Sequence, residues 1–158
     1  MDVDLEDPVL FDVGAVALAH SGTPMNDTAL EYVRDAVHGD LAAVVPYQAL
    51  FGAHHILNRD YHFSREDATY VLTNFLGARQ VHWYAGPNGS DTQHGLDIAG
   101  GHNIEGWDGF YAHVARSTDA TTLVTLDDDF ERVDDLSIEI PLTDDEREQL
   151  HEYLAPED

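Results

Sequence analysis

Along this chain, short unbroken apolar runs alternate with longer stretches whose apolar residues recur at helical spacing. The first run, Pro8 to Asp12, is apolar through Val9, Leu10 and Phe11 and ends on an acid. Continuous apolarity over so few residues predicts a central parallel strand, buried on both faces. Gly14 to His20 predicts a short helical turn. Asn26 stands at an N-cap position before a helix through Val37, with Leu30, Val33 and Val37 on one face and Gly39 as its stop. A second buried strand is expected at Leu41 to Val45. Pro46 suits a helix start, and the helix it opens would run through Leu57, with Leu50, Phe51, Ala53, Ile56 and Leu57 as its apolar positions. Ser64-Arg65-Glu66-Asp67 has the form of an N-terminal cap with acids in the first turn, opening a helix to Leu76.

The second half continues the alternation. Gln80 to Tyr84 predicts a third strand, and the glycine-, proline- and asparagine-rich stretch from Ala85 to Ser90 a loop. Asp91 to Ala99 predicts a helix stopped by Gly100-Gly101. Trp107 to Ser117 predicts another, with Phe110, Val114 and Ala115 turned inward. Thr121 to Thr125 and Ser137 to Leu142 are the fourth and fifth expected strands. Thr143, Asp144 and Asp145 start a last helix, with Leu150 and Leu154 as its apolar contacts. Strands alternating with helices from end to end predict an α/β fold, a three-layer α/β/α sandwich around a central parallel sheet. Such sheets bind ligands at the carboxyl ends of their strands.

Length and composition narrow this picture. The 158 residues suit a single domain spanning 1–158. No apolar run approaches the roughly 18 residues that a membrane span needs, and no basic-then-apolar leader is visible, so a cytoplasmic protein is expected. With no cysteine, disulfides and thiolate metal sites are excluded. Thirty-one acids face seven arginines and no lysine, for a formal net charge of −24. Self-repulsion on that scale destabilises a small domain in dilute buffer. Molar salt screens it, since the Debye length falls to roughly 3 Å at 1 M. The charge balance therefore points to a halophile that accumulates salt. It also means that most acids here are there for solvation, and that no basic patch offers itself to nucleic acid.

Against that background, a few carboxylates stand out by position. Thr125-Leu126-Asp127-Asp128-Asp129-Phe130 follows the buried run Thr121 to Val124. Three consecutive acids repel one another unless they are solvated, protonated or neutralised by a cation. Asp12 ends the first strand, and Asp108 opens the helix near Trp107. Taken singly, Asp108 reads as a helix cap and Asp127 to Asp129 as a solvated turn, whereas Asp12 has no evident structural role. Trp83, Trp107 and Tyr111 read as core aromatics. The ten histidines include His54-His55 but no i,i+4 pair that suggests zinc.

In order along the chain, Asp12, the helix after Val44-Val45-Pro46, the segment Asp108-Gly109-Phe110-Tyr111-Ala112-His113-Val114-Ala115 and the segment Leu123 to Phe130 resemble the PIN domain. The resemblance is to VapC-type toxins of toxin–antitoxin modules and spans about the whole chain. It implies an endoribonuclease dependent on Mg²⁺ or Mn²⁺, a homodimer and a small antitoxin partner. Carried over by position, it makes Asp12, Asp108 and Asp127 the catalytic and metal-binding acids, Asp129 an additional ligand and Thr125 a supporting hydroxyl. One family acid is missing. A glutamate is expected in the helix after the second strand, and Gly52 occupies that register, with Gln48 or His55 as possible substitutes. Hard cations favour charged oxygen ligands, so the loss weakens metal binding. It leaves open a second class of function, a PIN-like protein with weakened or no catalysis that works through a protein partner. A receiver-like domain with a phosphorylatable aspartate ranks below both, because the lysine it needs is absent.

Overall fold

The computed structural model of the protein describes residues 7–155; the side chain of Asp128 lies outside that description. Five strands form one sheet in the order β3-β2-β1-β4-β5, where β1 is Val9–Phe11, β2 Ala43–Pro46, β3 His82–Tyr84, β4 Thr122–Val124 and β5 Ser137–Glu139. Every neighbouring pair is parallel. With helices on the sheet's faces, this is the expected three-layer α/β/α sandwich. All residues of β1 and β2 are buried, as are Leu123 and Val124 of β4, which is why these strands read as unbroken apolar runs. The edge strand β5 exposes Ser137 and Glu139.

Chain order and strand order reverse between β1 and β4. The chain first builds outward from β1 through β2 to β3, then returns to add β4 on the other side of β1. The crevice of an open parallel sheet forms at such a reversal, beyond the carboxyl ends of the two strands. Asp12 directly follows β1, and Thr125 to Asp127 directly follow β4.

Four helices bracket β2: α1 (Val13–His20), α2 (Asp27–His38), α3 (Ala49–Asp60) and α4 (Arg65–Leu76). α1 packs on α2 and α3, and α3 on α4. α5 (Gly89–His102) and α6 (Gly106–Ser117) form the most closely packed helix pair, and α6 also touches β1. α7 is Asp144–Leu154, opened by a Thr143–Glu146 capping box.

Several expected boundaries move for physical reasons. Pro46 closes β2 opposite Tyr84 and does not open a helix; α3 starts at Ala49. Asn26 does not cap α2 through its side chain, which donates instead to the carbonyl of Ala19 at 3.1 Å. α1 is a full helix and not one turn. Buried from Ala15 to Ala19, it lacks the polar face that makes a helix visible in sequence. α5 begins two residues early, capped by Asn88, and continues through Gly100 and Gly101 to Asn103, whose φ of 54° ends it. Trp107 is 61% exposed and is not a core residue.

Candidate functional site

The site is built on the turns that follow β1 and β4. Asp12 is 8% exposed and caps α1, with Oδ1 accepting from the backbone N–H of Ala15 at 3.0 Å. Its Oδ2 accepts from the hydroxyl of Thr125. Asp12 therefore does have a structural role, contrary to the sequence expectation. Thr125 is fully buried, and its Oγ1 also accepts from the backbone N–H of Asp127 at 3.0 Å. One hydroxyl thus ties the end of β1 to the turn after β4. Asp127 in turn caps a short 3₁₀ helix, Asp128–Arg132, accepting from the N–H of Asp129 at 2.9 Å. Phe130, fully buried, anchors that turn to the core.

Asp108 reaches this turn from the first turn of α6. Glu105, and not Asp108, holds the N-cap position, and the Oδ2 of Asp108 is buried with no hydrogen-bond partner. A capping role for Asp108 is therefore ruled out. One carboxylate oxygen from each of Asp108, Asp127 and Asp129 lies within 4.8 Å of the others. Two full charges about 4 Å apart repel by about 4 kcal/mol even at an effective dielectric of about 20. Solvent, a proton or a cation must offset that repulsion. The Asp108 carboxyl is pushed up to about 7 by burial, and then by the charges of Asp127, Glu105, Asp12 and Asp129. Burial also pushes Asp12 up to about 6, against the hydrogen bonds from Thr125 and Ala15 and with Asp127 adding repulsion. Of the four expected acids, three form the tight group. Asp12 stands beside it, with both oxygens already held by protein donors.

Next to Asp12 and Asp108 opens a cleft of about 570 Å³ between α3 and α6. Along α3, Gln48, Gly52, His55 and Arg59 line it in one stripe, at spacings of four, three and four residues. Gly52 does face the cleft, but a side chain there would force Val13 to shift, because a Cβ would lie 2.7 Å from a γ-methyl of Val13. Of the two proposed substitutes, Gln48 points inward, with both amide atoms buried and unpartnered. His55 lies at the exposed rim. Tyr111, expected as plain core, is 3% exposed, and its hydroxyl is unpartnered in the same cleft. Burial, followed by the charges of Asp12 and Asp108, raises its pKa well above the usual tyrosine range against a weak pull from the backbone N–H of Val13, so the hydroxyl keeps its proton. The spacing of three residues from Asp108 to Tyr111 was the available signal, since it puts both on one helix face. Glu105, Trp107 and Arg59 at the rim carried no signal in sequence, because only the packing of α3 near α6 brings them there.

Asp108, Asp127 and Asp129 each offer one carboxylate oxygen to a common point that could hold a metal ion, and among the described residues the buried Oδ2 of Asp108 has no hydrogen-bond partner.

No protein-family model and no curated protein matches this chain. The fold is similar to the crystal structure of PAE2754 from Pyrobaculum aerophilum, with 14% sequence identity and a TM-score of 0.59, covering 96% of this chain and 98% of that one. At that identity, the likeness bears on the fold alone.

Proposed function

We propose that the protein is a PIN-type endoribonuclease that hydrolyses RNA phosphodiester bonds with Mg²⁺ or Mn²⁺, the toxin of a toxin–antitoxin module. The observation that carries this reading is the group of Asp108, Asp127 and Asp129 oxygens within 4.8 Å of one another, at the strand reversal and beside an open cleft. Asp108, Asp127 and Asp129 would hold the cation, with Asp12 adding negative charge from behind. A bound divalent cation supplies charge neutralisation at the phosphate and activation of a water. Thr125 keeps the two strand ends in register, through its bonds to Asp12 and to the turn of Asp127. The exposed aromatics Phe51 and Trp107, together with Arg59, suit the bases and backbone of a single strand at the mouth of the cleft. A cytoplasmic setting in a salt-accumulating cell, a homodimer and a small antitoxin belong to the same proposal.

The test is cleavage of single-stranded RNA in concentrated KCl with Mn²⁺. The expected result is metal-dependent cleavage that falls by at least about a hundredfold in Asp108→Asn and Asp127→Asn. Cleavage that persists in both variants rejects the assignment. A second reading, a PIN-like scaffold that acts through a protein partner, is favoured by one observation. A helix acid at Gly52 would press on the γ-methyls of Val13. Intact Mn²⁺ binding with no cleavage of any RNA would select it.

A further inference from the structure

Among the described residues, four buried side-chain polar atoms have no hydrogen-bond partner: both amide atoms of Gln48, Oδ2 of Asp108 and the hydroxyl of Tyr111. All three residues line the one cleft beside the acidic group. Native interiors leave few such atoms unpaired, because each costs free energy that a partner would recover. Their confinement to one cleft marks it as built for a polar ligand. Tyr111 is the clearest case. It is 97% buried, its ring packs on Phe110, and its hydroxyl, near the backbone N–H of Val13, has no partner of good hydrogen-bond geometry.

The chemistry of the pair narrows the ligand. Asp108 is an acceptor and suits a cation. Gln48 and Tyr111 are neutral, and between them they offer two amide N–H donors, one O–H donor and one amide acceptor. Gln48 stands one helical turn before Gly52, where a Cβ has no room against Val13. The wall facing the aspartates is thus donor-bearing and uncharged where a further carboxylate would make it anionic. Three aspartates leave a hard divalent cation, which takes about six or more oxygen ligands, in need of further oxygens. A phosphodiester oxygen satisfies that need, and it accepts from the Gln48 amide and the Tyr111 hydroxyl as well.

We propose that Gln48 and Tyr111 form a neutral phosphate-binding pair, and that this pair makes divalent-cation binding and phosphodiester binding mutually dependent in this cleft. The inference rests on the reading of Asp108, Asp127 and Asp129 as cation ligands. The dependence is reciprocal, as any binding linkage is.

Mn²⁺ affinity measured by electron paramagnetic resonance in concentrated KCl tests it, without and with dimethyl phosphate, a phosphodiester too inert to be cleaved. In the wild type, dimethyl phosphate is expected to lower the Mn²⁺ Kd by about fivefold or more. In Gln48→Leu and in Tyr111→Phe, each checked for native near-ultraviolet circular dichroism, the ratio of the two Kd values is expected to fall towards one. In Gln48→Glu, Mn²⁺ alone is expected to bind more tightly and dimethyl phosphate to add nothing. A wild type that binds Mn²⁺ with a ratio of one overturns the pair and leaves the cation site standing. So does a ratio that survives in both Gln48→Leu and Tyr111→Phe. A wild type that binds no Mn²⁺ overturns the cation site and the pair together.

Discussion

Gly52 is a glycine for want of room. A Cβ there would stand 2.7 and 2.9 Å from the two γ-methyls of Val13, in the seam where α3 packs on α1. Gly52→Glu is therefore expected to destabilise the protein by about 1–3 kcal/mol and not to complete the acidic wall. Thermal melts measure the loss, and adding Val13→Ala, which removes both γ-methyls, is expected to recover part of it. A Gly52→Glu variant as stable as the wild type would contradict the geometry. Asp108 carries a pH signature. Its carboxyl, pushed up from 3.8 to about 7, holds a proton in the folded state that the unfolded chain has already released. The folded state then binds more protons between those values, so the stability of the metal-free protein falls as pH rises from about 4 to about 7 and is level above. Asp108→Asn removes the charge at nearly constant volume. Melts in chelator are expected to find the variant more stable by about 1 kcal/mol above neutrality, allowing for solvent screening, and little changed below about pH 4. A variant less stable than the wild type at high pH would show that the acids are not strained by one another.

At the level of elements, the site depends on how closely α5 and α6 approach. A Cβ on Gly109 would lie 2.1 Å from the carbonyl oxygen of Gly95 and 3.0 Å from the Cβ of Ala99. Gly109→Ala must spread the two helices, and Asp108 is the preceding residue. The expected outcome is a loss of about 1–3 kcal/mol in stability together with weaker Mn²⁺ binding. A variant with unchanged melting and unchanged metal affinity would mean that α6 is not what holds Asp108 in place. α5 is anchored separately through Asp91, which forms a capping box with Asn88 and accepts from Tyr84 and His113 at 2.7 Å each. Burial disfavours the charge on Asp91, but these hydrogen bonds outweigh that and hold its pKa below the ordinary carboxylate value. What the sequence made legible follows from the same physics. β1, β2 and β4 were visible because burial on both faces leaves unbroken apolar runs, and the acids after β1 and β4 were visible because a charge interrupts the apolar pattern there, although their capping roles were not. α1 was under-read because a helix buried all round has no amphipathic period. The far end of α5 was misread because two glycines end a helix only when nothing outweighs their propensity, and here packing on α6 does. Gln48 was read only as a possible substitute for the missing acid and Tyr111 only as a core aromatic, since their orphaned polar atoms exist only once α3 and α6 face one another.

For the molecule as a whole, the strand order matters more than any single acid. Only the return of the chain from β3 to β4 brings residues 12 and 127 to adjacent strand ends. A net charge of −24 surrounds the site with many other acids that attract cations diffusely, so only site-specific binding is informative. High salt screens the self-repulsion of these charges and suppresses that diffuse background. The most direct test of the central claim is therefore calorimetry of Mn²⁺ binding in concentrated KCl, comparing the wild type with Asp108→Asn and Asp12→Asn. The account predicts one saturable site in the wild type, lost in Asp108→Asn and weakened in Asp12→Asn, whose carboxylate supports the group from beside it. Absence of saturable binding, or a site that is unchanged in both variants, would contradict it.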